Sequence, residues 1–198
     1  MAHDLDEELW SRMGEIICAA HEADRERYWS LLRSFDAEFD LRRVQRAGLY
    51  LWVLLRAALA GKIGGRVPSD VDLSRISREN FARFRILADV DQSILEDLFR
   101  KAFERPPLRK KISPGELLVL APAALGVLYG DPDSELKAVK PRIVEWWKKY
   151  AEDFYREGLI RLVVGMGCCS TCLRDGADLH VLLLLFLSRD CAAAQRGA

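Results

Sequence analysis

Histidine is scarce in this chain of 198 residues, which holds only three. None stands in a His-Glu-x-x-His arrangement, and no Glu-x-x-His pair occurs, so the helical zinc hydrolases and the di-iron bundles lack their ligands here. The phosphate-cradling glycine loops, the dinucleotide fingerprint and the Gly-x-Ser-x-Gly elbow are also missing from the sequence. Catalysis by any of those routes is therefore not expected, and the chain reads as a non-enzyme.

Two further shortages bear on the fold. A bilayer-spanning helix needs about 20 apolar residues, and the longest apolar run, Gly48 to Ala60, is interrupted by Arg56. That run reads as a buried helix, and no membrane partner is expected. Alternating apolar and polar residues between turn dipeptides, the mark of strand pairs, are absent as well. The first ten residues, MAHDLDEELW, are acidic where a secretory leader is basic and then apolar. The expected compartment is cytoplasmic, where cysteines stay reduced; five cysteines, an odd number, fit poorly with a closed disulfide framework.

What the chain does have is helical punctuation. Thirty basic residues balance thirty acidic ones, so no overall charge draws the protein to nucleic acid or to an anionic surface. Asp4 with Glu7 opens an apolar stripe of helical spacing that runs from Leu9 through Met13, Ile17 and Tyr28 to about Phe35. Asp40 caps a second helix ending at the glycines of GKIGG. RVPSD then reads as a linker, Ser77 as the cap of SRENFARFRIL, and Asp91 as the cap of QSILEDLFRKAF. Ser113, Pro114 and Glu116 form the best start signal, combining a cap, a proline at the first helical position and a returning carboxylate. The helix that follows is apolar nearly all round, with Pro122 expected to end or kink it. Asp131-Pro132 repeats the start signal, and a long segment from about Pro141 places Ile143, Trp147, Tyr150 and Phe154 on one face. These signals describe an all-α protein: one helical domain of six or seven helices over residues 1–164, followed by a cysteine-bearing appendage, 165–198.

Four places carry candidate chemistry. Cys169 and Cys172 form a CxxC, with Cys168 adjacent and His180 and Cys191 beyond. Thiolate and imidazole suit zinc, and Cys18 with His21, three apart on the first helix, supply a variant ligand set. A second CxxC or a paired HxxxH is missing, and a redox dithiol lacks its βαβ setting. Reduced thiols without metal are the expected state, with zinc the cofactor to test for.

The second place is Phe81 to Phe103, two short helices about a tight turn, with Val90 and Ile94 where a helix-turn-helix wants apolar residues. Asp89 and Arg85 depart from that motif, and Glu96 and Asp97 put negative charge on the helix meant to approach phosphates. The third is the basic loop of Arg105, Arg109, Lys110 and Lys111 about Pro106-Pro107. Between Gly61 and Ile112 there are twelve basic and eight acidic residues, while the first sixty carry eight and eleven. Such a loop suits a phosphate backbone, the acidic face of a second copy, or plain solvation. The fourth is PRIVEWWKKYAEDFYR, where Trp146 and Tyr155 fall off the apolar stripe and suit a protein contact.

Arg56 needs either a route to the surface or a partner, since an unpaired buried charge is costly. It is expected at a helix edge, with a pocket beside Trp52 and Leu55 as the alternative. Together these features point to an interaction or assembly protein, self-associating or part of a larger complex. A nucleic-acid-associated protein using residues 77–111 is the runner-up, and a zinc- or thiol-dependent tail comes third.

Overall fold

The computed structural model describes residues 5–145, 147 and 148. Among them every element is a helix: α1 (Glu7–His21), α2 (Arg25–Glu38), α3 (Leu41–Gly61), α4 (Asp70–Leu87), α5 (Gln92–Ala102), α6 (Pro114–Leu128) and α7 (residues 132–145). The all-α reading therefore holds. Tyr150, Phe154 and the whole of 165–198 lie outside the described residues.

Helix α6 is the centre. It packs against α1, α3, α4 and α5, and from Leu120 to Tyr129 each residue is buried. Its small residues, Ala121, Ala123, Ala124 and Gly126, let neighbouring backbones come close. At Gly126 an added Cβ would stand 2.7 Å from the His21 backbone nitrogen, so only glycine fits that crossing. The capping box of Ser113 and Glu116 is formed as the sequence implies.

Pro122 does not end α6; the helix continues to Leu128. Proline removes one helical donor, the one that would serve the Leu118 carbonyl. One residue on, the Val119 carbonyl accepts from the buried Tyr28 hydroxyl, which pins α2 to this turn of α6. Tertiary packing on all sides of α6 holds the helix together across that gap. In the same way the helix of 132–145 runs through Pro141, so the last segment starts at the Asp131 cap, where Ser134 bonds the carboxylate through Oγ at 2.6 Å. Ile143 and Trp147 are buried as their spacing implies.

Two other boundaries differ from the sequence reading. The stripe from Leu9 to Phe35 belongs to two helices, not one. The chain leaves α1 through Ala23 at φ +58° and restarts at Asp24, which accepts from the Arg27 amide. The cap of α1 is Asp6, not Asp4. Helix α4 begins a full two turns before Ser77: Ser69 and Asp72 exchange side-chain and backbone bonds in a capping box. Ser77 is buried mid-helix, its hydroxyl donating to the Gln92 carbonyl at 3.4 Å. Asp91 does precede α5, yet its side chain makes no capping bond.

Charged side chains finish the surface. Arg43 grips Asp6 at 2.7 Å and Glu8 at 2.7 Å while lying over the Phe39 ring. Arg12 bonds Glu38 at 2.6 Å, and Lys140 bonds Glu7 at 2.6 Å. Arg56 is half-buried over the rings of Trp52 and Phe103, at 4.8 and 5.4 Å from their centroids. The aromatic faces are its partners, which suits a cation that keeps one side toward water; Leu55 points fully into the core.

Candidate interaction surface

The basic loop and the helix pair meet at one place. Helix α5 lies almost wholly inside: seven of its eleven residues are buried, Glu96 and Asp97 among them. The two carboxylates that looked like an obstacle to phosphate are therefore not on the surface. The four other residues of α5, Gln92, Ser93, Ile94 and Lys101, are half-buried, so the helix presents only a narrow strip to a groove of DNA.

Asp97 is 1% exposed, and its carboxylate accepts from three consecutive backbone amides, Leu108 at 2.5 Å, Arg109 at 3.2 Å and Lys110 at 2.8 Å. Arg100 and Lys101, also on α5, bond the Pro106 and Ile112 carbonyls at 2.6 and 2.7 Å. The loop is thus stitched to α5 by its backbone, and the side chains of Arg109, Lys110 and Lys111 are left outside. Arg105 and Lys110 of this loop are engaged within the chain. Arg105 bonds Asp70 and the Pro68 carbonyl, with Arg100 on the same carboxylate at 3.1 Å. Lys110 pairs with Glu116 at the cap of α6.

Beside this loop, the turn between α4 and α5 opens a groove of about 690 Å³. Phe81, Val90 and Ile94 form a half-buried apolar floor. Arg85, Asp89, Asp91 and Arg109 stand round it, all exposed. Arg85 and Asp89 are four apart, a spacing that pairs charges on a helix. Here the helix stops at Leu87 and Ala88 turns extended, φ −119° and ψ 121°, so the two do not meet. None of the four has an ion-pair partner among the described residues.

The groove rests on fixed elements. Trp29 Nε1 donates to the Leu87 carbonyl at 3.0 Å, tying the end of α4 to α2, and Ser77 ties α4 to the start of α5. A second groove of about 500 Å³ runs between α3 and the helix of 132–145, lined by Ala57, Gly61, Ala138 and Val139.

The remaining sequence candidates fall elsewhere. Trp146, Tyr155, Cys169, Cys172, His180 and Cys191 lie outside the described residues. Cys18 and His21 do share a face of α1, but each has a structural partner. The Cys18 thiol donates to Asp133 at 3.3 Å, and His21 Nδ1 bonds the Gly126 carbonyl at 3.0 Å. Burial, with Asp133 beside it, pushes that thiol up to about 11. Among the described residues no three of histidine, cysteine, aspartate and glutamate come together as a metal site, and no helix is long and apolar enough to cross a membrane.

Sequence reasoning pointed at this part of the chain for another reason, as a helix-turn-helix. Arg85 and Asp89 were the misfits of that motif, and they prove to be the surface charges of the groove. Their balance of sign, two cations at Arg85 and Arg109 about two anions at Asp89 and Asp91, was the available signal. Compared with protein-family models, with curated proteins and with solved structures, the chain matches none.

Proposed function

We propose that the protein is a non-catalytic helical interaction or assembly protein that works through contacts at the α4–α5 groove. One observation carries the reading: a half-buried apolar floor of Phe81, Val90 and Ile94 ringed by four exposed charges of both signs, none with an ion-pair partner among the described residues. Covering Phe81, Val90 and Ile94 removes apolar area from water, worth roughly 25 cal/mol per Å². The ring of charges then selects the partner and its orientation.

A photo-reactive amino acid in place of Ile86, exposed on the same end of α4, tests the reading. Irradiation of the full chain in extract is expected to give one discrete protein adduct. The same group at Glu26 on α2 is expected to give none. Equal, diffuse labelling from both positions sinks the proposal.

A second reading has its own support. Asp97 holds the backbone amides of Arg109 and Lys110, and the exposed cations of Arg109, Lys110 and Lys111 follow one another on that loop, which suits a phosphate backbone better than a floppy loop does. Nucleic-acid association predicts retention on a nucleic-acid column that weakens steeply with salt and is lost when the three become alanine. Flow-through at low salt ends it.

A further inference from the structure

We infer that the occupant of the α4–α5 groove is a second copy of this chain, joined across a two-fold axis so that Arg85 and Arg109 of each copy face Asp89 and Asp91 of the other. The inference rests on the contact reading above and names its partner.

A two-fold interface brings one patch against itself. A patch of single sign repels its own image, so a self-binding surface needs both signs in balance, set apart from one another. The groove has two cations and two anions, all exposed and all lacking an ion-pair partner among the described residues. The separation is built into the backbone. Arg85 lies on the last turns of α4, whereas Asp89 and Asp91 lie past the point where Ala88 leaves the helix. Arg109 reaches the groove from the loop, where its amide is fixed on Asp97. Phe81, Val90 and Ile94 between them give the contact an apolar middle, the usual anatomy of an interface core with a charged rim.

The same ring disfavours other occupants. A nucleic-acid backbone or a free phosphate at the two arginines meets Asp89 and Asp91 as well. A uniformly acidic or basic protein face satisfies one pair of side chains and sets the other pair against like charge.

Two charge-reversed forms of the full chain test this without assuming which arginine meets which aspartate. The pair Arg85→Glu with Arg109→Glu makes the groove wholly acidic, and Asp89→Lys with Asp91→Lys makes it wholly basic. All four positions are exposed, so both forms are expected to melt like the native chain. By sedimentation equilibrium over a range of concentrations, the native chain is expected to be a dimer in equilibrium with monomer. Each reversed form alone associates on the order of a hundredfold more weakly, and an equimolar mixture of the two recovers a dimer holding one of each. A native chain that stays monomeric at every concentration overturns the inference, and so do reversed forms that dimerise as the native chain does. The Ile86 adduct separates this from the broader reading. An adduct of twice the chain's mass supports the second copy, an adduct of another mass overturns it while leaving the contact reading, and no adduct removes both.

Discussion

Gly126 on α6 and Ala20 on α1 are in backbone contact: a Cβ built on the glycine would stand 2.6 Å from the alanine's own and 2.8 Å from its carbonyl carbon. Helix propensity alone favours alanine over glycine by about 1 kcal/mol in a helix interior. The crossing reverses that sign, because the obstructing atoms are backbone and a Cβ fixed to it, none of which can rotate away. Gly126→Ala is expected to lower stability by about 1–3 kcal/mol, the range for overpacked cores. A thermal or urea melt that shows the variant unchanged or stabilised contradicts the close crossing.

Asp97 is expected to matter more for stability than any other acidic residue of α5. Asp97→Ala leaves three backbone amides without their acceptor in a buried place, and hydrogen bonds to a charged group are worth about 1.5–3 kcal/mol apiece at most. A loss of about 3 kcal/mol in urea unfolding is expected. Faster hydrogen exchange should be confined to the amides of Leu108, Arg109 and Lys110. Exchange that spreads evenly over the molecule speaks against a local anchor.

Cys18 should resist thiol reagents. Burial and the adjacent Asp133 raise its thiol to about 11 from an ordinary 9.0, and the thiolate is the reactive form. At pH 8 that leaves roughly a hundredfold less thiolate than an ordinary cysteine has. Labelling followed by peptide mapping is expected to find Cys18 modified about a hundredfold more slowly in the native chain than in urea.

Acid should destabilise the fold over a defined window. Burial works to raise Asp6 and Glu116, but Arg43, the Leu9 amide and Arg46 together at the first, and Lys110 with the Ser113 bonds at the second, outweigh it, and both carboxyls lie below their ordinary values. The Arg105 and Arg100 bonds lower Asp70, the Ser69 bonds lower Asp72, and the Ser134 bonds lower Asp131. With folded values depressed, the unfolded chain binds more protons below about pH 5. The stabilisation is complete above that pH and is lost as pH falls through 4 toward the folded values. Urea midpoints measured from pH 7 to pH 3 are expected to be flat and then to fall; a midpoint that rises on acidification is incompatible with these pairs.

Helix starts were legible wherever the cap is local chemistry. Asp40 and Ser113 with Glu116 need only their own next three residues, and they formed as written. The capping box at Ser69 and Asp72 was equally legible, Ser-x-x-Asp after a proline, but it sat in a stretch whose proline and charges read as linker. Helix ends were harder. The break at Ala23 leaves the apolar stripe unbroken, because Tyr28 and Phe35 still face the core, so periodicity cannot register it. Pro122 and Pro141 each remove a donor, and whether a helix survives depends on neighbours distant in sequence, such as Tyr28 against Val119. The groove was hidden for the same reason. Glu96 and Asp97 are acidic letters on an amphipathic helix until the loop at 108–110 closes over one of them.

The central position of α6 has a consequence for how the protein is made. Its residues, 114–128, come after five of the seven helices among the described residues, yet α1 and α3 find their main packing partner in it. During synthesis the first hundred residues emerge able to pair α1 with α2 and α4 with α5, but without the helix that joins those pairs into one core. A nascent chain of this design completes its core only when α6 has been made, so its folding is expected to wait for the last third of the described residues.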